Sequence, residues 1–170
     1  CSVMIAVSFI SPAIAQTPPA RTAQQDALDY FVGTWKIDSE MKANPLGPAG
    51  RMMATERCEW FPGRFHLVCE SEGTGPAGEI RSMAVMSYDT ERKSHVYYAI
   101  SSVVPDAEYA KGTKTADGWN WTSESRGDGK TVRSRFTMSS MTPANYQLKW
   151  EVNDGAGWTT VMTGTAVKIR

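Results

Sequence analysis

The groups able to do chemistry in this chain are few: three cysteines, two histidines and 18 acidic residues among 170 positions. Cys58 and Cys69 bracket a Pro-Gly in CEWFPGRFHLVC. Two thiols so placed suit a disulfide, a metal site or a redox pair, and hairpin geometry separates these. With the connection Pro62-Gly63-Arg64-Phe65, Phe61 pairs with His66 and Cys58 falls opposite Cys69, where Cβ atoms stand about 4.5–5.5 Å apart and a bridge can form. A two-residue connection leaves the cysteines diagonal neighbours on one face. A three-residue connection sends them to opposite faces and forbids the bond. In the favoured register Cys58, Trp60, Leu67 and Cys69 share the inward face, and Arg57, Glu59, His66 and Glu70 the outward one. His66 therefore has the wrong parity to join the cysteines on a metal, and no C-x-x-C is present for redox catalysis. A structural disulfide Cys58–Cys69 is expected, contributing about 2–3 kcal/mol.

An enzyme needs a base or nucleophile with partners. Near neutral pH only His66 and His95 qualify, and His95 shares a face with Tyr97 on SHVYY. An acid–base pair of His95 and Tyr97 is the catalytic reading, and two strand histidines without a chemical task the plain one. Glu79, Asp89 and Asp106 stand at strand ends beside turns, as solvated loop charges do. No G-x-S-x-G, P-loop, H-E-x-x-H or G-x-G-x-x-G occurs. No catalytic residue, no metal site and no cofactor is expected on these grounds.

The remaining lead is aromatic. Trp35, Trp60, Trp119, Trp121 and Trp150 have parities compatible with one interior face, joined by Tyr88, Tyr97 and Phe136. Such a set either fills a core or lines an apolar concave site for a small ligand. The candidate ligand site is the mouth of a barrel, lined by Trp60, Tyr97, Trp119 and Trp121.

These side chains need strands to carry them. TAQQDALDYFVG, Thr22 to Gly33, places Ala27, Tyr30 and Phe31 at helical spacing, with Thr22 as cap and Gly33 as stop. From Thr34 onward the period is two, as in TWKIDSEMK. About ten short strands follow, divided by turn signals such as Asp117-Gly118, Gly127-Asp128-Gly129, Thr142-Pro143 and Asn153-Asp154-Gly155. Sequential strands joined by tight turns form a meander, and closure into a barrel removes its edges. The expected fold is all-β: an antiparallel up-and-down barrel of about 8–10 strands behind a short N-terminal helix. A β-sandwich is the alternative, against which stands the lack of long crossovers.

At 41% hydrophobic and 21% charged, the chain suits one domain with a sizeable core. Its first fifteen residues, CSVMIAVSFISPAIA, are apolar for about ten positions and reach Ala13-Ile14-Ala15, the pattern of a secretory signal without its initiator Met and basic n-region. That run is too short for a membrane span of about 20 residues. An N-terminal strand or buried helix is the alternative, set against Pro12 and the polar stretch that follows. Acylation of Cys1 as a lipoprotein would require the apolar run before the cysteine. The expected division is a signal at 1–15, a disordered lead-in at 16–24 and one barrel domain at 25–170, in a periplasmic or secreted protein. Formal net charge is zero, with both signs scattered, which excludes nucleic acid and anionic membrane as partners.

Gly33-Thr34-Trp35 follows the short helix and opens the first strand, which is how the calycin group begins, lipocalins and fatty-acid-binding proteins included. With Cys58-Glu59-Trp60-Phe61, the strand end Tyr88-Asp89 and the late Asp154-Gly155-x-Gly157-Trp158, the chain resembles a family of small uncharacterised bacterial secreted proteins with a calycin-like barrel. The likeness covers most of residues 27–170 and implies a structural role for Gly33 and Trp35, with Trp35 at the closed base. Haem-binding barrels of the nitrobindin type also begin Gly-x-Trp. Their axial histidine lies near the C-terminal end, where this chain has none. The reading that results is an exported, disulfide-stapled, non-catalytic barrel binding a small hydrophobic or amphipathic ligand. Its alternatives are a cell-envelope interaction module with a filled barrel and an enzyme using His95 and Tyr97.

Overall fold

The computed structural model describes residues 19–44, 47–127 and 130–170. The expected signal at 1–15, the first part of the lead-in and the turn residues 128 and 129 lie outside the described residues. Helix α1 runs Ala23–Asp26 and continues as a 3₁₀ helix Ala27–Phe31. It begins within the stretch expected as lead-in. Thr22 caps it: the Thr22 hydroxyl accepts from the Gln25 N–H, and the Gln25 side chain accepts from the Thr22 N–H at 2.7 Å. That reciprocal pair satisfies two otherwise orphaned donors. The tighter 3₁₀ winding repeats every three residues, so Gln25, Leu28 and Phe31 form the buried stripe. Tyr30 and Ala27, expected on that face, are half-buried beside it.

Ten strands follow: β1 Gly33–Met41, β2 Gly50–Trp60, β3 His66–Gly75, β4 Gly78–Asp89, β5 Ser94–Ser101, β6 Val104–Lys114, β7 Trp119–Gly127, β8 Lys130–Thr142, β9 Asn145–Asn153 and β10 Trp158–Lys168. Each pairs antiparallel with its sequence neighbours, and β1 pairs with β10, so the meander closes into a barrel with no free edge. The expected fold class holds and the sandwich is set aside. The β2–β3 connection is the four-residue one: the Phe61 N–H donates to His66 O at 2.8 Å, and Cys58 pairs with Cys69. The two are joined in a disulfide.

Strand alternation sets which residues enter the lumen. Trp35 stands opposite Glu56, Glu56 opposite Ser71, Ser71 opposite Ser82 and Ser82 opposite Ser101. Large side chains crowd the end nearest the helix, where Trp35, Trp119, Leu67 and Tyr146 are almost wholly buried. The helix plugs that end. Trp35 Nε1 donates to Phe31 O at 2.8 Å, Tyr30 Oη donates to Thr142 O at 2.8 Å, and Lys168 Nζ donates to Tyr30 O at 3.2 Å. Gly33 has φ +121°, and a Cβ there would strike the Arg170 carbonyl, so the link between plug and barrel needs glycine. Among the described residues no helix is long and apolar enough to cross a membrane.

Candidate functional site

Away from the plug the lumen is not filled. Ten strands make a barrel too wide for its own side chains to close, and smaller residues take over with height: Ser71, Ser82, Ser101, Ser123 and Ser134 face inward. The space left is a cavity of about 250 Å³. Small-ligand sites span about 300–1,000 Å³, so this one suits a compact molecule. Its wall is chiefly aromatic and thioether: Tyr97, Trp121, Phe136, Tyr146 and Trp150 with Met86, Met138 and Met162.

Two carboxyl groups break this apolar surface, Glu56 from β2 and Glu108 from β6. Enclosure pushes the Glu56 carboxyl up to about 7, because a charge in low dielectric loses its hydration. Glu56 is half-buried and borders the cavity. Glu108 is raised too, by burial, and partly lowered again by the Ser123 hydroxyl, which donates to its Oε1 at 3.2 Å. It keeps more solvent access than Glu56. Burial raises the Tyr97 phenol, and then both carboxylates raise it further. Tyr146 is raised by burial, with Glu56 the next cause. Glu56 and two phenols thus share one poorly hydrated space, with the more exposed Glu108 also on its wall.

The four expected ligand-site residues divide by height. Tyr97 and Trp121 line the cavity, their rings 5.8 Å apart. Trp119 points into the lumen but lies under the plug, stacked on Trp121 at 5.5 Å and packed on Phe31 at 5.7 Å. Trp60 sits at the helix-capped end, where its Nε1 donates to Asp29 Oδ1 at 2.8 Å and the Arg21 guanidinium lies 4.2 Å over its ring. Trp60 and Trp119 therefore belong to the base and not to a mouth. Parity gave the correct face for both but not their height along the barrel.

His95 is also inward but locked beneath the plug. Its Nε2 donates to Gln24 O at 2.8 Å, since a carbonyl can only accept, and its ring is wedged between Tyr88 at 5.0 Å and Trp119 at 4.6 Å. It does not line the cavity, so it and Tyr97 do not form an acid–base pair around a common space. His66 is exposed on the outer face. Glu56, Cys58 and Cys69 gather their oxygen and sulfur atoms within 4.8 Å. A metal would need thiolates, and these sulfurs are spent on each other, leaving one carboxylate as donor.

Glu56 and Glu108 were not among the sequence candidates. For Glu56 the signal existed: in ATERCEW it has the parity of Cys58 and Trp60, a carboxylate on the apolar face. Glu108 lies in DAEYAKGTKT, which shows no clean alternation.

Among the solved structures with a similar fold are two natural proteins. One is the S-type phycobiliprotein lyase CPES from Guillardia theta, at TM-score 0.55 and 14% identity, covering 88% of this chain and 94% of that one. The other is Rv2717c from M. tuberculosis, at TM-score 0.58 and 11% identity, covering 88% and 99%. At such identity the likeness concerns the fold alone. No curated protein sequence matches the chain. A family model described as "Protein of unknown function (DUF1579)" matches residues 20–168, nearly the whole barrel with its plug, and the chain belongs to that family.

Proposed function

We propose that this protein is a non-catalytic carrier or receptor that holds one small amphipathic molecule in its lumen. The observation that carries the reading is the cavity of about 250 Å³, walled by Trp121, Phe136, Trp150 and Tyr97 and interrupted by two carboxyl groups. Apolar enclosure with a few fixed polar groups is how small ligands are bound and oriented. Neither histidine reaches this space, His95 being fastened to Gln24 O and His66 exposed on the outer face, so binding is the reading favoured here.

Export is the companion proposal. The apolar run ending in Ala13-Ile14-Ala15 and a disulfide, which persists in oxidising compartments, both support a periplasmic or secreted setting. Recovery of a mature chain beginning at Gln16 from the periplasm tests it; an uncleaved cytoplasmic chain overturns it.

The binding reading is tested by native mass spectrometry of gently purified protein and by calorimetric titration with 2-phenylethanol as a neutral probe. A retained small-molecule adduct, or probe binding lost in Trp121→Ala, is the expected result. A bare mass together with no probe binding rejects it.

A second reading, an envelope interaction module, draws on the outer face. Tyr98 opposes Tyr109 and Met83 opposes Ile100 across β4–β6, and all four are exposed. Tyr98→Ser with Ile100→Ser should leave probe binding intact. Loss of association with envelope fractions in that variant favours this second role.

A further inference from the structure

We infer that the lumen selects a small organic cation, a protonated amine on an apolar or aromatic body, with its ammonium on Glu56 and its body against Trp121, Phe136 and Trp150. The inference rests on the lumen-binding reading above and adds the charge of the occupant.

Glu56 is the central observation. It is half-buried, faces the cavity, and has no hydrogen bond or ion pair with any described residue. Its surroundings offer nothing positive. The phenols of Tyr97 and Tyr146 stand near it, Trp35 and Ser71 flank it in the ladder, and the adjoining sulfurs are already bonded to each other. A buried carboxylate without a partner is costly, and the ordinary remedies are protonation or a counter-ion. A cationic ligand supplies the counter-ion.

The rest of the wall argues for the same sign. Glu108 is a second carboxyl with one serine hydroxyl on it. Among the described residues no Lys or Arg lines the cavity. Of the cations at inward-parity positions, Lys114 and Lys168 stand at the plugged end, where Lys168 is held by Tyr30 O and lies 5.2 Å over the Trp35 ring, and Lys130 is exposed at the far end of β8. Indole and phenyl faces carry negative quadrupole potential, which attracts an ammonium or its polarised methylenes. A fatty acid, in contrast, would bring a further carboxylate into this low-dielectric space with nothing to pair it.

The test compares three molecules of one shape and different charge by calorimetry at pH 8: 2-phenylethylamine, 2-phenylethanol and 3-phenylpropionate. The amine should bind at least about tenfold more tightly than the alcohol, as a charge-assisted hydrogen bond allows, and the carboxylate should not bind. Glu56→Gln should remove the amine's advantage, so that amine and alcohol bind that variant alike. Glu108→Gln should weaken the amine by a smaller factor, and it carries the test if Glu56→Gln fails to fold. Carboxylate binding as tight as the amine's, or amine affinity unchanged in both variants, overturns the inference. Equal binding of amine and alcohol overturns it while the lumen reading stands; no binding of any of the three overturns both.

Discussion

Gly112 on β6 stands opposite Trp121 on β7, and the indole occupies the place a side chain at 112 would take: a Cβ there would fall 2.6 Å from Trp121 Cε3. The glycine is what lets Trp121 lie flat, stacked on Trp119 with 9° between the rings. Glycine beside an aromatic in a neighbouring strand trades local backbone stiffness for cover by the ring.

Gly112→Ala should therefore move Trp121. The backbone of β6 and β7 is held by its ladder, so the ring must tilt into the cavity or off Trp119. Overpacking of this kind destabilises by about 1–3 kcal/mol. The variant should lose 2-phenylethanol binding and show an altered near-ultraviolet circular dichroism spectrum while its far-ultraviolet spectrum stays native. Unchanged binding would mean Trp121 does not shape the site.

Glu56 gives stability an unusual pH dependence. Unfolded, its carboxyl ionises at about 4.5; folded, burial holds it up to about 7. Between these values the folded state carries the extra proton, so stability falls as pH rises through this window. The loss is on the order of 3 kcal/mol once pH exceeds 7. Glu108, shifted in the same direction, adds to it. Glu56→Gln should match the wild type at pH 4.5 and exceed it at pH 8, measured by urea unfolding. Comparing the two proteins at each pH cancels other titrating groups, including His95. A variant no more stable at pH 8 would place Glu56 in contact with bulk water.

Much of the architecture was legible because two rules of β-structure are strict. Alternation fixed the faces of Trp35, Trp119, Trp121 and Trp150, and hairpin parity fixed Cys58 opposite Cys69. Alternation has no information about height, which depends on strand stagger around the closed barrel. That is why Trp60 and Trp119 were expected at a mouth and lie at the base. The carboxylates escaped notice for a different reason: a glutamate in a strand is usually a wet-face residue, and Glu56 departs from the rule only because it borders a cavity. The locked state of His95 depends on a helix 71 positions away in sequence. No local pattern encodes such a contact.

The disulfide joins neighbouring strands across a loop of 11 positions. Its effect is mainly on the unfolded chain, where closing a loop of this size is worth about 3 kcal/mol. Reduction, or Cys58→Ala with Cys69→Ala, should leave the register intact and lower Tm by roughly 6–12 °C. A cavity-lining sulfur is also lost with Cys69, so a lowered 2-phenylethanol affinity is expected in the double variant. A native Tm in the double variant would mean that the hairpin is already closed in the unfolded ensemble.

His95→Phe separates a fastening histidine from a catalytic one. Phenylalanine keeps the ring between Tyr88 and Trp119 but loses the donor to Gln24 O, a change of about 1–2 kcal/mol that should loosen the plug. In the wild type, burial and then Lys114 lower the His95 pKa, while its bond to Gln24 opposes them. The folded state thus binds fewer protons than the unfolded one, and His95 erodes stability as pH falls below about 6.5, opposite in sign to Glu56. The phenylalanine variant should lack that acid-side loss. It should bind 2-phenylethanol as the wild type does, because residue 95 lies beneath the plug and not on the cavity wall. If it instead bound the probe normally yet lost a turnover that the wild type performs on some substrate, His95 would be a catalytic residue and the carrier reading would fall.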